Sequence, residues 1–175
     1  EILAGLHDRP APMVTVADRI ENGKCLGFPA EEAFSLKTVC QHLIVEADGS
    51  AGRPVKAHAA HEPQIAADAA CIVAVVGGWC VGTPLNAESV HRPERFSAIS
   101  GRQMGESVTA TDVAGVILGD NGWLSSIPAG AAFHVVVTGH DSGIASALAG
   151  HANAGRLAGI YRCPRSDGPL QACCS

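Results

Sequence analysis

Apolar residues in this chain gather in short runs with little polar alternation. Leu43, Ile44 and Val45 form one such run, Ala69 to Val76 (AACIVAVV) a second and Ala131 to Val137 a third. Runs of this kind predict strands buried on both faces of a parallel sheet. Met13 to Ala17 reads as a strand ahead of a polar turn at Asn22 and Gly23, and Leu157 to Tyr161 as a last strand. Between the strands the apolar period lengthens. Pro29 to Cys40 sets Ala33, Leu36 and Val39 on one side with Glu31 and Glu32 in the first turn, which predicts an amphipathic helix. Asn86 to Ile99 reads as largely helical, Thr109 to Leu118 as a helix capped by Thr109 with Asp112 at the capping-box position, and Ile144 to Ala154 as an alanine-rich helix. Strand and helix in this rhythm predict an α/β fold, a mostly parallel sheet with helices on both faces. The expected organisation is a single domain over residues 1–164 and a flexible tail over 165–175. Glu1 to Pro12 reads as a helix tail or loop, and Ser50 to Ala66 as a loop rich in specific polar groups.

Composition narrows the class. With 175 residues, 47% of them hydrophobic, the chain is long enough for one substantial core. A net charge of −5 argues against a nucleic-acid surface, which would cluster Lys and Arg. No apolar run approaches the roughly 18 residues that cross a bilayer, and no basic, then apolar, leader opens the sequence, so a cytoplasmic protein is expected. The seven cysteines carry no C-x-x-C spacing and read as reduced thiols.

The chemistry concentrates after the first apolar run. Glu46 and Asp48 stand two apart at a predicted strand end, where both carboxylates point the same way, roughly 7 Å apart at Cα. That spacing suits Mg²⁺, which takes one or two carboxylates plus substrate phosphates, and makes the pair candidates for metal binding and catalysis. Arg53 and Lys56 return two cations beside the acids, able to neutralise a phosphate. The alternative is a strand end with a solvated acidic turn. His58, His61, Glu62 and His91 also allow a metal constellation. Asp141, after the third strand, reads either as a carboxylate accepting from a purine base or as the N-cap of the helix that follows.

The strings E-A-D-G-S at 46–50, G-R-P-x-K-A at 52–57 and H-E-P at 61–63 recur as a block, followed by Gly82 to Leu85, Val90 to Glu94 and Val108 to Val113, with Gly23, Lys24, Leu26 and Gly27 upstream. From Val14 to Cys163 the sequence resembles the YqeC-type selenium cofactor biosynthesis proteins, accessory proteins of selenium-dependent molybdenum hydroxylases. The resemblance implies a P-loop NTPase-like fold and Mg²⁺ with ATP or GTP as cofactors. It also implies a ligand site drawing on Ser50, Arg53, Lys56, His61, Glu62, His91 and Arg92. The family's opening strand, glycine-rich phosphate loop and helix have no counterpart here, so a fold lacking its first strand-loop-helix unit is expected. Whether the chain is an enzyme is left open by that difference. Two readings follow: a Mg-nucleotide-dependent accessory enzyme, or a non-catalytic module that binds a cofactor precursor or a molybdenum hydroxylase. A sheet without its first unit would expose apolar surface, and a homodimer covering it is expected.

Overall fold

A hairpin built on an Asn-Gly pair is the first element. Asn22 and Gly23 take φ of 50° and 76°, the two positive angles of a type I′ turn, which these residue types supply at least cost. Across it Arg19–Glu21 (β1) and Lys24–Leu26 (β2) pair antiparallel. The computed structural model describes residues 14–140, 142–164 and 169–174, so the expected segment Glu1 to Pro12 lies outside the described residues, as does Met13. Residues 14–17 are not a strand.

The chain divides into two compact units, Glu1–Ala47 and Asp48–Ser175, where the sequence reading drew one domain over 1–164. In the first unit Ala30–Ser35 (α1) runs into a 3-10 turn, Leu36–Thr38, and stops short of the helix expected to reach Cys40. The buried strand expected at Leu43 to Val45 is not formed. Ile44 is 91% exposed and Val45 44%, and among the described residues no strand pairs with this run. Three apolar residues hold a buried strand only where a neighbour supplies ladder partners.

The second unit carries the main sheet. Val55–Lys56 (β3) and Val90–His91 (β5) make a short parallel pair. Cys71–Gly77 (β4), Ala132–Thr138 (β6), Leu157–Cys163 (β7) and Gln171–Cys174 (β8) form a sheet of order β4-β6-β7-β8. The first three run parallel and β8 antiparallel on β7. The strands expected at Ala69, Ala131 and Leu157 are therefore present. Within the segment expected to be a flexible tail, Gln171–Cys174 pairs with the edge of β7, whose unpaired backbone groups accept it.

Helices pack on one face. Pro93–Ser100 (α2) starts later than expected because Asn86 Oδ1 accepts from Glu88 N at 2.9 Å and Ser89 N at 3.1 Å, closing a turn, and β5 takes the next two residues. Pro93 then fits the first helical position, where a missing N–H costs nothing. Ala110–Leu118 (α3) has the expected capping box: Thr109 Oγ1 accepts from Asp112 N at 3.2 Å, and Asp112 Oδ2 accepts from Thr109 N at 2.8 Å. Ile144–Ala149 (α4) ends at Gly150 rather than Ala154. Glycine pays the largest backbone entropy in a helix.

Val76, Phe133, Val135, Val137 and Ile160 from the sheet share one core with Val113, Val116, Ile117, Ile144 and Leu148 from the helices. The other face of β4 leaves Val73 56% and Val75 60% exposed. Among the described residues of this unit, the helices share their core with one face of the sheet. No helix among the described residues is long and apolar enough to cross a membrane.

Candidate functional site

Lys56 ends β3 and is 3% exposed, the deepest charge of the described residues. A buried ammonium needs partners for its three N–H bonds. Lys56 Nζ donates to Gly49 O at 2.8 Å and lies 2.8 Å from Asp48 Oδ2 and 3.1 Å from Glu62 Oε2. Two carboxylates thus flank one cation, and two further groups balance them. Arg92 forks onto Glu62 through both nitrogens, Nη2 reaching Oε1 at 3.1 Å, and His58 Nε2 stands 3.0 Å from Asp48 Oδ2. Lys56 and His58 meet Asp48 Oδ2 at ion-pair distance without aligned hydrogen bonds.

The groups arrive from distant parts of the chain. β3 and β5 lie side by side, so Lys56 pairs in register with His91 and Arg92 follows at once. Arg92 takes φ of 61°, a left-handed conformation that costs a non-glycine residue free energy and is found where surrounding contacts enforce it. The Arg92 fork onto Glu62 is such a contact, and Ala59 N adds a hydrogen bond to Glu62 Oε2 at 3.2 Å. Trp123 closes the far side: its Nε1 donates to Lys56 O at 2.8 Å, and its ring stacks on His58 with centroids 5.0 Å apart.

The charges shift one another. Arg92 holds the Glu62 carboxyl down at about 2, with Lys56 and the Ala59 amide adding to it against the opposing effect of burial. Asp48 is also held below the usual carboxylate range, first by His58 and then by Lys56. His91 is lowered, chiefly by burial and then by the neighbouring Arg92 and Lys56. A cavity of about 140 Å³ adjoins the network, lined by His58, Glu62, Arg95, Asn121, Trp123 and Ser126 among others.

The remaining candidates are more dispersed. Arg53 donates to Ala51 O at 2.6 Å and to Ala87 O at 3.0 Å, and Ser50 Oγ donates to Arg53 O at 2.7 Å, so both brace the loop before β3. His61 is 77% exposed beside Glu62. Glu46 is exposed in the first unit, whereas Asp48 opens the second. Asp141 lies outside the described residues. Among the described residues no three His, Cys, Asp or Glu groups gather as a metal cluster.

A sequence profile of the YqeC protein family matches residues 5–94, just over half of the chain and the stretch that holds Asp48, Lys56, Glu62 and Arg92. The chain belongs to the YqeC family. It is also similar to the uncharacterized protein YqeC of Escherichia coli (strain K12), at 32% identity over 114 residues. That alignment covers 64% of this chain and 44% of the relative, so the chain spans less than half of that protein's length. No solved structure matches the chain.

The YqeC block points to Asp48, Lys56, Glu62 and Arg92; His58 is expected only as a candidate metal ligand and stands instead beside Asp48, and Trp123 carries no expectation. Trp123 carried one usable signal: an indole N–H that is buried must find an acceptor. Its acceptor, Lys56 O, lies 67 residues away, which spacing along the chain cannot reveal.

Proposed function

We propose that this chain serves in the maturation of selenium-dependent molybdenum hydroxylases as a binding module, with the Lys56 network as its ligand site. The observation that carries the reading is the burial of Lys56 between Asp48 and Glu62. Apolar residues of similar volume would fill that place at no greater cost, so a buried ionic cluster is poor evidence of stability and better evidence of use. The anionic group of a cofactor precursor competes with Glu62 for Arg92 and with Asp48 for Lys56. The small polar cavity beside His58 and Arg95 gives that group room. The test is selenium bound to the hydroxylase in cells whose gene for this protein is deleted, then complemented with wild type or with Lys56→Met. A hydroxylase that keeps wild-type selenium in the deletion strain would sink the reading.

A second reading is Mg-nucleotide chemistry on a P-loop NTPase-like fold, and Asp48 favours it: its carboxyl stays ionised beside a lysine. Mg²⁺ and ATP or GTP are the cofactors it requires. Asp48→Asn, in a protein that includes a phosphate loop, then loses Mg²⁺-dependent nucleotide affinity; unchanged affinity and turnover count against it.

A further inference from the structure

Trp79 is held at the carboxyl end of the sheet with its ring half in water. It lies in the 3-10 turn Gly78–Cys80 that follows β4, and it is 55% exposed. Its indole rests over the ends of two neighbouring strands. A Cβ at Gly77 would stand 2.6 Å from Trp79 Cη2, and one at Gly139 would stand 3.1 Å from Cε3. Gly77 has φ of −83° and ψ of 119°, ordinary extended backbone that any residue adopts. The glycine there serves space, not conformation, and the space is what the indole occupies. Pro54 closes the same spot, its Cβ 2.7 Å from that Cβ position. The chain therefore gives up a side chain at Gly77 to seat a tryptophan that it does not bury, whereas Gly139, with φ of 71°, is a glycine on conformational grounds as well.

Open α/β sheets bind ligands beyond the carboxyl ends of their parallel strands. β4, β6 and β7 are parallel, and Trp79 and Gly139 stand at that end. Gly139 also walls an open hollow of about 330 Å³ with His140, Arg162, Pro164 and Gln171, a size within the usual range of small-molecule sites. Its rim offers polar groups, and Gly139, which walls it, also lies against the indole, so the π-face of Trp79 stands beside the hollow and not in its lining. We propose that Trp79 is a stacking platform for the ring of a flat heteroaromatic ligand whose polar substituents meet the rim at His140 and Gln171. A purine nucleotide and a pterin share that chemistry. This site has no residue in common with the Lys56 network, so it stands or falls separately from the maturation reading.

Calorimetric titration of the chain with guanosine monophosphate and with 6-carboxypterin tests it, on wild type, Trp79→Leu and Trp79→Phe. At least one ring binds wild type and quenches its fluorescence saturably, and the one that binds names the source. Trp79→Leu weakens that binding about tenfold, the usual scale of one lost base–aromatic stack, and Trp79→Phe recovers part of it. Gly77→Ala, which displaces the indole, weakens binding with the circular dichroism unchanged. Binding of neither ring, binding by Trp79→Leu as tight as wild type, or Trp79→Phe no better than Trp79→Leu would each overturn the proposal.

Discussion

Asp112 and Glu62 are both gripped by arginines, and the contrast between them separates architecture from chemistry. Asp112 is 8% exposed and takes Arg102 Nε at 2.9 Å, Thr109 N at 2.8 Å and Thr109 Oγ1 at 2.7 Å. Burial pushes its pKa up, but Arg102 and the two Thr109 contacts outweigh that and hold it low. Each of those partners lies within ten residues and secures the start of α3. Glu62 takes Arg92 from thirty residues away and shares Lys56 with Asp48. Glu62 also closes the turn that begins at Ala59 and Arg92 stands at the N-cap of α2, but Lys56 and Asp48, which complete the gathering, belong to neither element. A local carboxylate pair is accounted for by the element it caps, whereas the burial of Lys56 between two carboxylates is not, and the proposed ligand site rests on that difference.

Breaking the long-range cluster carries the largest effect. Lys56→Met removes the cation shared by Asp48 and Glu62, leaving Glu62 to Arg92 and Asp48 beside His58, and destabilises the second unit by about 3 kcal/mol, the low end of what removal of one partner of a buried pair costs; urea unfolding measures it. Adding Asp48→Asn and Glu62→Gln to Lys56→Met removes the stranded charges and restores most of that stability. If the triple variant stays as unstable as the single one, the charges are architectural and the comparison collapses.

Breaking the local pair costs less. Asp112→Ala removes half of a capping box and should cost about 1–2 kcal/mol, with no effect on selenium delivery. Loss of delivery by a well-folded Asp112→Ala protein would erase the distinction between the two carboxylates.

Acid sharpens the comparison further. Glu62 has a folded pKa of about 2 against an ordinary 4.5, so its contribution is fully present above pH 4.5 and is lost as pH falls toward 2. Stability measured across that window should fall more steeply in wild type than in Glu62→Gln. Equal slopes would mean that Arg92 does not hold the carboxylate in solution. The smallest effect belongs to the hairpin, where Arg19 contacts Asp18 and Glu21 at 2.6 Å with its side chain 59% exposed. Arg19→Ala should leave thermal unfolding unchanged, since exposed pairs contribute little.

What the sequence revealed follows the same line between local and distant. The capping box at Thr109 and Asp112 was legible because all its atoms lie within one turn. The strands at Cys71, Ala132 and Leu157 were legible because each apolar run is long enough to span a strand, although β4 leaves one face exposed. The run at Leu43 misled, for its three apolar residues look like a strand only if a neighbour exists. At Asn22 and Gly23 the sequence shows a turn alone, since the short strands of the hairpin carry Arg19, Glu21 and Lys24 and no apolar alternation. β8 was hidden because a polar tail gives no sign of the edge it will join. At the site, the YqeC block marked Asp48, Lys56, Glu62 and Arg92 as residues to watch. That Lys56 would be buried, with His58 and Trp123 packed around it, depended on contacts across as many as 67 residues.

The central claim is that the Lys56 cluster is kept for a ligand and not for the fold. Its most direct test is the selenium content of a molybdenum hydroxylase purified from cells whose only copy of this protein carries Asp48→Asn, Lys56→Met and Glu62→Gln, at matched protein level. The account predicts a folded triple variant and a hydroxylase depleted of selenium to the level of the deletion strain. A hydroxylase with wild-type selenium beside that variant would contradict it.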